Sequence, residues 1–188
     1  MNSYSVVLRA ANCPAELSER LAALGARKTA SSSSWWLMTP NADDAVAAAL
    51  LAARFPGTLA GVGAAHGTDA TSERFARDLA TGALLTLEGR QVRHRVAAAG
   101  ESSEGAVDTE AALRLVARIV EARSEAEWRV VDLLTPGVRG QHKSVAEALG
   151  ITTQAVSKAL NRTGWHEELL GRELAGRLLL SATGQLRG

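Results

Sequence analysis

Apolar positions along the first half of the chain change period from element to element. "SYSVVLRA" (3–10) predicts a strand, ended by Asn12 and Pro14. In "PAELSERLAAL" (14–24) Leu17, Leu21 and Leu24 fall at i, i+4 and i+7, one apolar helical face, with Pro14 near the first turn and Gly25 as the stop. "ARKTASSSSWWLMTP" predicts a hairpin: the Ser run turns, "SWWLMT" returns, and Pro40 closes it. The alternative for Ser31–Ser34 is a flexible linker. "NADDAVAAALLAARF" (41–55) predicts a helix capped by Asn41, with Asp43 and Asp44 favourably placed in its first turn.

Next come a Gly-rich strand (57–68) and a short helix (71–80). A second hairpin is expected over "ALLTLEGRQVRHRVAA", turning at Glu88–Gly89, with Val92, His94 and Val96 alternating against Arg93 and Arg95. The order β-α-β-β-α-β predicts a ferredoxin-like antiparallel sheet with helices on one face. The small, polar, Gly/Ser-rich stretch 99–109 is where the domain boundary is expected. Beyond it every segment reads as helical. "SEAEWRVVDLL" opens on a capping-box pattern, Ser124 with Glu127 three residues later. The fold class expected is therefore α+β: residues 1–100 form a ferredoxin-like regulatory or assembly domain, and 109–188 an all-α domain of four to five helices.

"KSVAEALGITTQAVSKALNRTGW" (143–165) carries the clearest pattern. A helix-turn-helix needs two short helices with apolar inner faces and a tight turn. Val145 and Leu149 supply the first stripe, and Ala146 is small where the helices approach. Gly150 suits a reversal of the chain, Ile151 is expected to plug the turn, and Thr152 can cap the second helix. Val156 and Leu160 face inward again, with Ala159 beside them. The outward set is Thr153, Gln154, Ser157, Lys158 and Asn161. Gln pairs with adenine through two hydrogen bonds, Ser and Thr address bases or phosphates, and Lys reaches guanine or phosphate. Arg162 and Lys143 flank the helix and suit phosphates. The bland alternative is a pair of packed helices, or a helix-turn-helix that binds protein.

Charge refines this reading locally. The chain of 188 residues has a net charge of +1, which says little about partners. Within 137–166, however, Arg139, Lys143, Lys158 and Arg162 face only Glu147. Cys13 is the only cysteine, so an intrachain disulfide is excluded and a reducing compartment fits. No segment reads as a signal peptide or membrane helix, and the expected location is the cytoplasm, on the nucleoid. The Ala/Arg bias suggests a GC-rich bacterial source.

Residues 124–162 resemble the four-helix DNA-binding domains of sigma-factor region 4 and related bacterial regulators. The "TGW" that follows and the apolar helix after it resemble the bacterial SatD-like proteins, which join an N-terminal domain to such a C-terminal helix-turn-helix. The resemblance implies architecture more than activity. "DDAVAAALLAARFPGTLAGVGAAHGTDATSERFARDLA" weakly resembles the second half of a class III nucleotide cyclase domain. Such an enzyme holds two cations on carboxylates of its first strand and hairpin. "SYSVVLRAAN" and the expected hairpin hold none, and capping accounts for Asp43 and Asp44.

The four His and Cys13 show no metal-ligand spacing, "GVGAAHG" departs from GxGxxG, and GxSxG is absent. His66 reads as a turn residue. No catalytic residue, metal or cofactor is expected. Arg90, Arg93 and Arg95 read as a charged edge strand, or as contacts to an anionic ligand or a flanking phosphate. Trp35 and Trp36 point to opposite faces of their strand. Trp165, Leu169 and Leu170 are expected to dock the last helix, about 165–180. The expected function is a sequence-specific transcriptional regulator, not an enzyme, that binds duplex DNA as a homodimer reading two half-sites. The alternatives are a sigma-like protein docking on RNA polymerase or another regulator, and a nucleotide-binding cyclase-like enzyme.

Overall fold

The computed structural model describes residues 1–29, 33–88 and 94–185. The fold is α+β: an N-terminal mixed five-stranded sheet with helices, followed by a helical region. Strands β1 (Asn2–Ala10), β2 (Arg27–Lys28), β3 (Ser34–Thr39), β4 (Thr58–His66) and β5 (Val96–Gly100) lie in the order β2-β3-β1-β4-β5. The first four pair antiparallel as a ferredoxin-like sheet requires. β5 then adds parallel to β4, which makes the sheet mixed rather than wholly antiparallel.

Period-2 alternation sorts the sheet's two faces. Tyr4, Val6 and Leu8 of β1 lie level with Leu37, Trp35, Ala60, Val62 and Ala64 of its neighbours, and all are buried in the main core. Helix α2 (Ala42–Arg54) covers this face, and α1 (Ala15–Ala23) adds Leu17 and Leu21 to the same core. Asn41 caps α2 as its sequence requires, its side-chain oxygen accepting from the Asp43 N–H at 2.9 Å. Trp36 faces the other way, where the Arg77 guanidinium stacks 4.0 Å from its ring.

The expected second hairpin is not formed. Residues 70–88 are one helix, α3 (Ala70–Glu88), and among the described residues β5 is the strand that follows it. Ala76, Ala80, Ala83, Leu84 and Leu87 are its buried residues, and their spacing is helical. The short apolar run "ALLTL" contains too few turns to show that period by itself. Gly89 and residues 90–93 lie outside the described residues.

The helices also cover both faces of the sheet, not one. α3 lies on the face opposite α2, and it comes very close. A Cβ on Gly61 would fall 2.1 Å from the Ala80 carbonyl oxygen, and one on Gly63 would fall 2.0 Å from that of Ala76. The glycines of "GVG" thus set the helix–sheet distance.

The stretch 99–109, expected as the domain boundary, is the end of β5 and the beginning of α4 (Ser103–Glu121). Ser102 caps α4 by accepting from the Gly105 N–H at 3.2 Å. The Gly/Ser-rich composition reflects close packing against the C-terminal end of α8 (Trp165–Ser181), where Gly105 and Ala106 are buried. α4 also shields the free edge of β5. Glu110 accepts from the Ala98 N–H at 2.9 Å, and Arg114 donates to the Val96 carbonyl at 3.4 Å. Leu113, Val116 and Val120 of α4, with Ala175 and Leu179 of α8, join the same core as the sheet.

Candidate nucleic-acid interface

Three helices between α4 and α8 build a second, smaller core. They are α5 (Glu125–Val131), α6 (His142–Leu149) and α7 (Thr153–Thr163). Val130, Val145, Ala146, Val156 and Leu160 form its centre, with Leu134, Leu149, Ala159 and Trp165 packed around them. Each helix starts or stops on a local device. Ser124 and Glu127 close a full capping box on α5. Gly150 ends α6 in the left-handed region at φ 65°, where a side chain would be disfavoured. Thr152 caps α7, its hydroxyl accepting from the Ala155 N–H at 3.1 Å.

The loop before α6 is held by one side chain. Gln141 Oε1 accepts from the Thr135 N–H, and Gln141 Nε2 donates to the carbonyls of Thr135 and Val138, at 2.8–2.9 Å. These bonds fix the loop that carries Arg139 and leads into Lys143. Nothing in the periodicity of the sequence marks Gln141 for this task.

α7 presents a polar outer face. Thr152, Thr153, Gln154, Lys158, Asn161 and Arg162 are exposed, and Ser157 is half-buried. Lys143 is exposed on α6. The structure therefore gathers the expected contact residues on one helix and its neighbour. Two details depart from expectation. Ile151 does not plug the turn: it is 41% exposed, and its N–H donates to the Ala146 carbonyl at 3.0 Å. Arg162 is already engaged, since its Nε and Nη2 donate to Glu127 Oε1 at 3.1 and 3.0 Å. The Ser124 backbone N–H is the largest influence holding the Glu127 carboxyl below its usual range, followed by the Ser124 hydroxyl and then, against some desolvation, by Arg162.

Trp165 is half-buried against the small core as expected and Leu169 is half-buried, but Leu170 is 66% exposed. Of the three arginines expected on one edge strand, Arg90 and Arg93 lie outside the described residues. Arg95 precedes β5 and pairs with Glu121 of α4 at 3.1 Å, on a different element from the residues of α7. His66 is the last residue of β4 rather than a turn residue. Its N–H donates to Glu101 at 2.9 Å.

Two charged clusters tie the three-helix unit to the helices around it, α1 and α2 in the first and the end of α4 and α8 in the second. Asp132, the C-cap of α5, accepts from both Nη atoms of Arg54 (2.6 and 2.8 Å) and from Arg20 (3.0 Å). The same Arg54 stacks 4.1 Å from the Trp128 ring. Burial by itself would raise the Asp132 pKa, but the Arg54 hydrogen bonds and charge, with Arg20 behind them, hold it below the usual carboxylate range. In the second cluster Arg123 and Arg172 share Glu168 of α8, while Arg123 Nε donates to the Thr163 carbonyl at the end of α7 at 3.0 Å.

Among the described residues no group of three or more His, Cys, Asp or Glu is placed to hold a metal ion, and no helix is long and apolar enough to cross a membrane. Compared with protein-family models, with curated proteins and with solved structures, the chain gives no match.

Proposed function

We propose that this protein is a bacterial, SatD-like transcriptional regulator that binds duplex DNA by placing α7 in the major groove. The observation that carries the reading is the junction of α6 and α7. A left-handed glycine and a capping threonine join two short helices over a shared core, and the second helix turns Thr153, Gln154, Lys158 and Asn161 to solvent. Gln154 and Asn161 suit adenine edges, Lys158 a guanine or a phosphate, and Thr153 and Ser157 either kind of contact. Lys143 and Arg139 suit phosphates and fix register rather than sequence.

One recognition helix contacts few bases, so the working species is a homodimer that reads two half-sites about one helical turn apart. The reading includes a cytoplasmic, nucleoid-associated location and no catalytic activity.

A second reading has one observation in its favour. Ile151 stands exposed in the turn itself, an apolar side chain better suited to a protein surface such as RNA polymerase or another regulator. The test is binding of the protein to fragments of its own upstream region at two salt concentrations, beside a Gln154→Ala/Lys158→Ala variant. Selective binding that weakens with salt and is lost in the folded variant supports the DNA reading. Absence of binding at low salt by the folded native oligomer overturns it in favour of protein docking.

A further inference from the structure

Between the sheet and the three-helix unit lies a cleft of about 780 Å³, lined by the ends of α2 and α4, the segment before β5, and α5. Its size falls in the range of small-molecule sites. Its lining mixes apolar side chains, Phe55, Pro56, Val120 and Trp128, with four guanidinium groups, those of Arg54, Arg95, Arg118 and Arg123, against three carboxylates, those of Glu16, Glu121 and Glu125. Arg54 and Arg123 stack on the Trp128 ring.

The pairing of these charges is incomplete. Arg95 and Arg118 share the single carboxylate of Glu121, at 3.1 and 3.3 Å. Arg123 and Arg172 share that of Glu168, each at 2.5 Å. Only Arg54 is supplied in full, by Asp132 and Glu16, and those two acids also serve Arg20. The Arg123 side chain is 1% exposed and lies 4.9 and 6.0 Å from the Trp128 and Trp165 rings, so it backs the cleft from within the protein. Arg95 and Arg118, more exposed, are the guanidinium groups able to meet a planar or tetrahedral oxyanion.

We propose that this cleft is a binding site for a small organic anion. A carboxylate or phosphate head is drawn by Arg95 and Arg118, which share one carboxylate and are 31% and 71% exposed, and a hydrophobic body lies against Phe55 and Pro56. The site stands independently of DNA binding. If the three-helix unit does bind DNA, the cleft joins that unit to the sheet, so an anion held there bears on how the two are positioned.

The test is isothermal titration of the DNA-free protein with benzoate, phenyl phosphate and inorganic phosphate at constant ionic strength. Benzoate and phenyl phosphate separate the two head groups, and inorganic phosphate removes the hydrophobic body. Saturable 1:1 binding of at least one aromatic probe is expected, with inorganic phosphate weaker by about tenfold or more because it forgoes the apolar contacts. Arg118→Gln, at a side chain 71% exposed, and Ala122→Trp, at an exposed helix end that lines the cleft, keep the fold intact. Both should weaken the aromatic probe by about tenfold or more. No saturable binding of any probe to the folded protein, or binding that both folded variants leave unchanged, overturns the proposal. Neither outcome touches the DNA reading, because DNA is absent throughout.

Discussion

Arg123 and Glu168 meet at 2.5 Å with both side chains 1% exposed, and they join the end of α4 to α8 beneath the three-helix unit. Breaking a buried pair from one side leaves a charge in a dry site. Glu168→Leu should therefore destabilise the protein by about 3–5 kcal/mol, read from urea unfolding. Arg123→Met/Glu168→Leu removes the fully buried pair, leaving only Arg172, which is 35% exposed and can reach water, and should recover part of that loss. A double variant no more stable than Glu168→Leu would show that the pair's geometry, not the stranded charge, sets the cost.

The contact between β4 and α3 makes a sharper prediction. Gly61→Ala or Gly63→Ala drives a Cβ into a backbone carbonyl at 2.0–2.1 Å, where no side-chain rotation relieves it. Each should cost about 3 kcal/mol or more, the upper range for overpacking. Gly82→Ala is the control. It is exposed within the same helix with nothing within 4 Å of its Cβ, so it should stabilise by about 0.5–1 kcal/mol through helix propensity. Thermal unfolding of the three variants separates the two effects.

Much of this fold is legible in the sequence where a local device accompanies the hydrophobic pattern. Asn41 before α2, Ser124 with Glu127 on α5, and Thr152 after Gly150 mark helix boundaries by chemistry that operates within four residues. The order of the first six elements follows from such signals. Where only a short apolar run is present, as at "ALLTL", helix and strand look alike until the facing sheet is known. The stretch 99–109, read as the place of a domain boundary, is the end of β5 and the start of α4, because small residues serve a tight helix contact as readily as a loop. The cleft is harder still. Arg54, Arg95, Arg118 and Arg123 come from separated segments, and a glutamate such as Glu168 on a helix reads as solvated until tertiary packing buries it.

On α7 the Thr152 hydroxyl caps the helix, whereas Gln154 and Lys158 stand exposed on its outer face. Thr152→Ala removes the cap and should cost about 1 kcal/mol of stability. Gln154→Ala and Lys158→Ala lie on an exposed face and should change stability by no more than about 0.5 kcal/mol while weakening DNA binding. Denaturant midpoints measured beside binding isotherms check this. Loss of stability in Gln154→Ala would make that residue part of the packing rather than the interface.

Asp132 links stability to pH. Its folded pKa lies below the usual value, so its contribution is complete above the ordinary aspartate pKa of about 3.9. That contribution is lost as pH falls through the lower folded value. Asp132→Asn should therefore be less stable than the parent at neutral pH, and the difference should shrink as pH falls below about 4. Unfolding midpoints of both proteins between neutral and acid pH test this. A difference independent of pH would show that the Arg54 and Arg20 contacts do not depend on the carboxylate charge.

The engagement of Arg162 by Glu127 sets the last prediction. Glutamine retains the reciprocal hydrogen bonds of a capping box but carries no charge, so Glu127→Gln should keep α5 while releasing Arg162 at the end of α7. A freed guanidinium beside a DNA backbone adds one phosphate contact. The slope of log K against log salt should then steepen by about 0.9, with affinity rising at low salt. Gains spread evenly over specific and non-specific fragments would place Arg162 on a phosphate, whereas a gain confined to one sequence would place it on a base. An unchanged slope in a fully folded variant would mean that Arg162 belongs to the packing of α5 against α7 and takes no part in the interface.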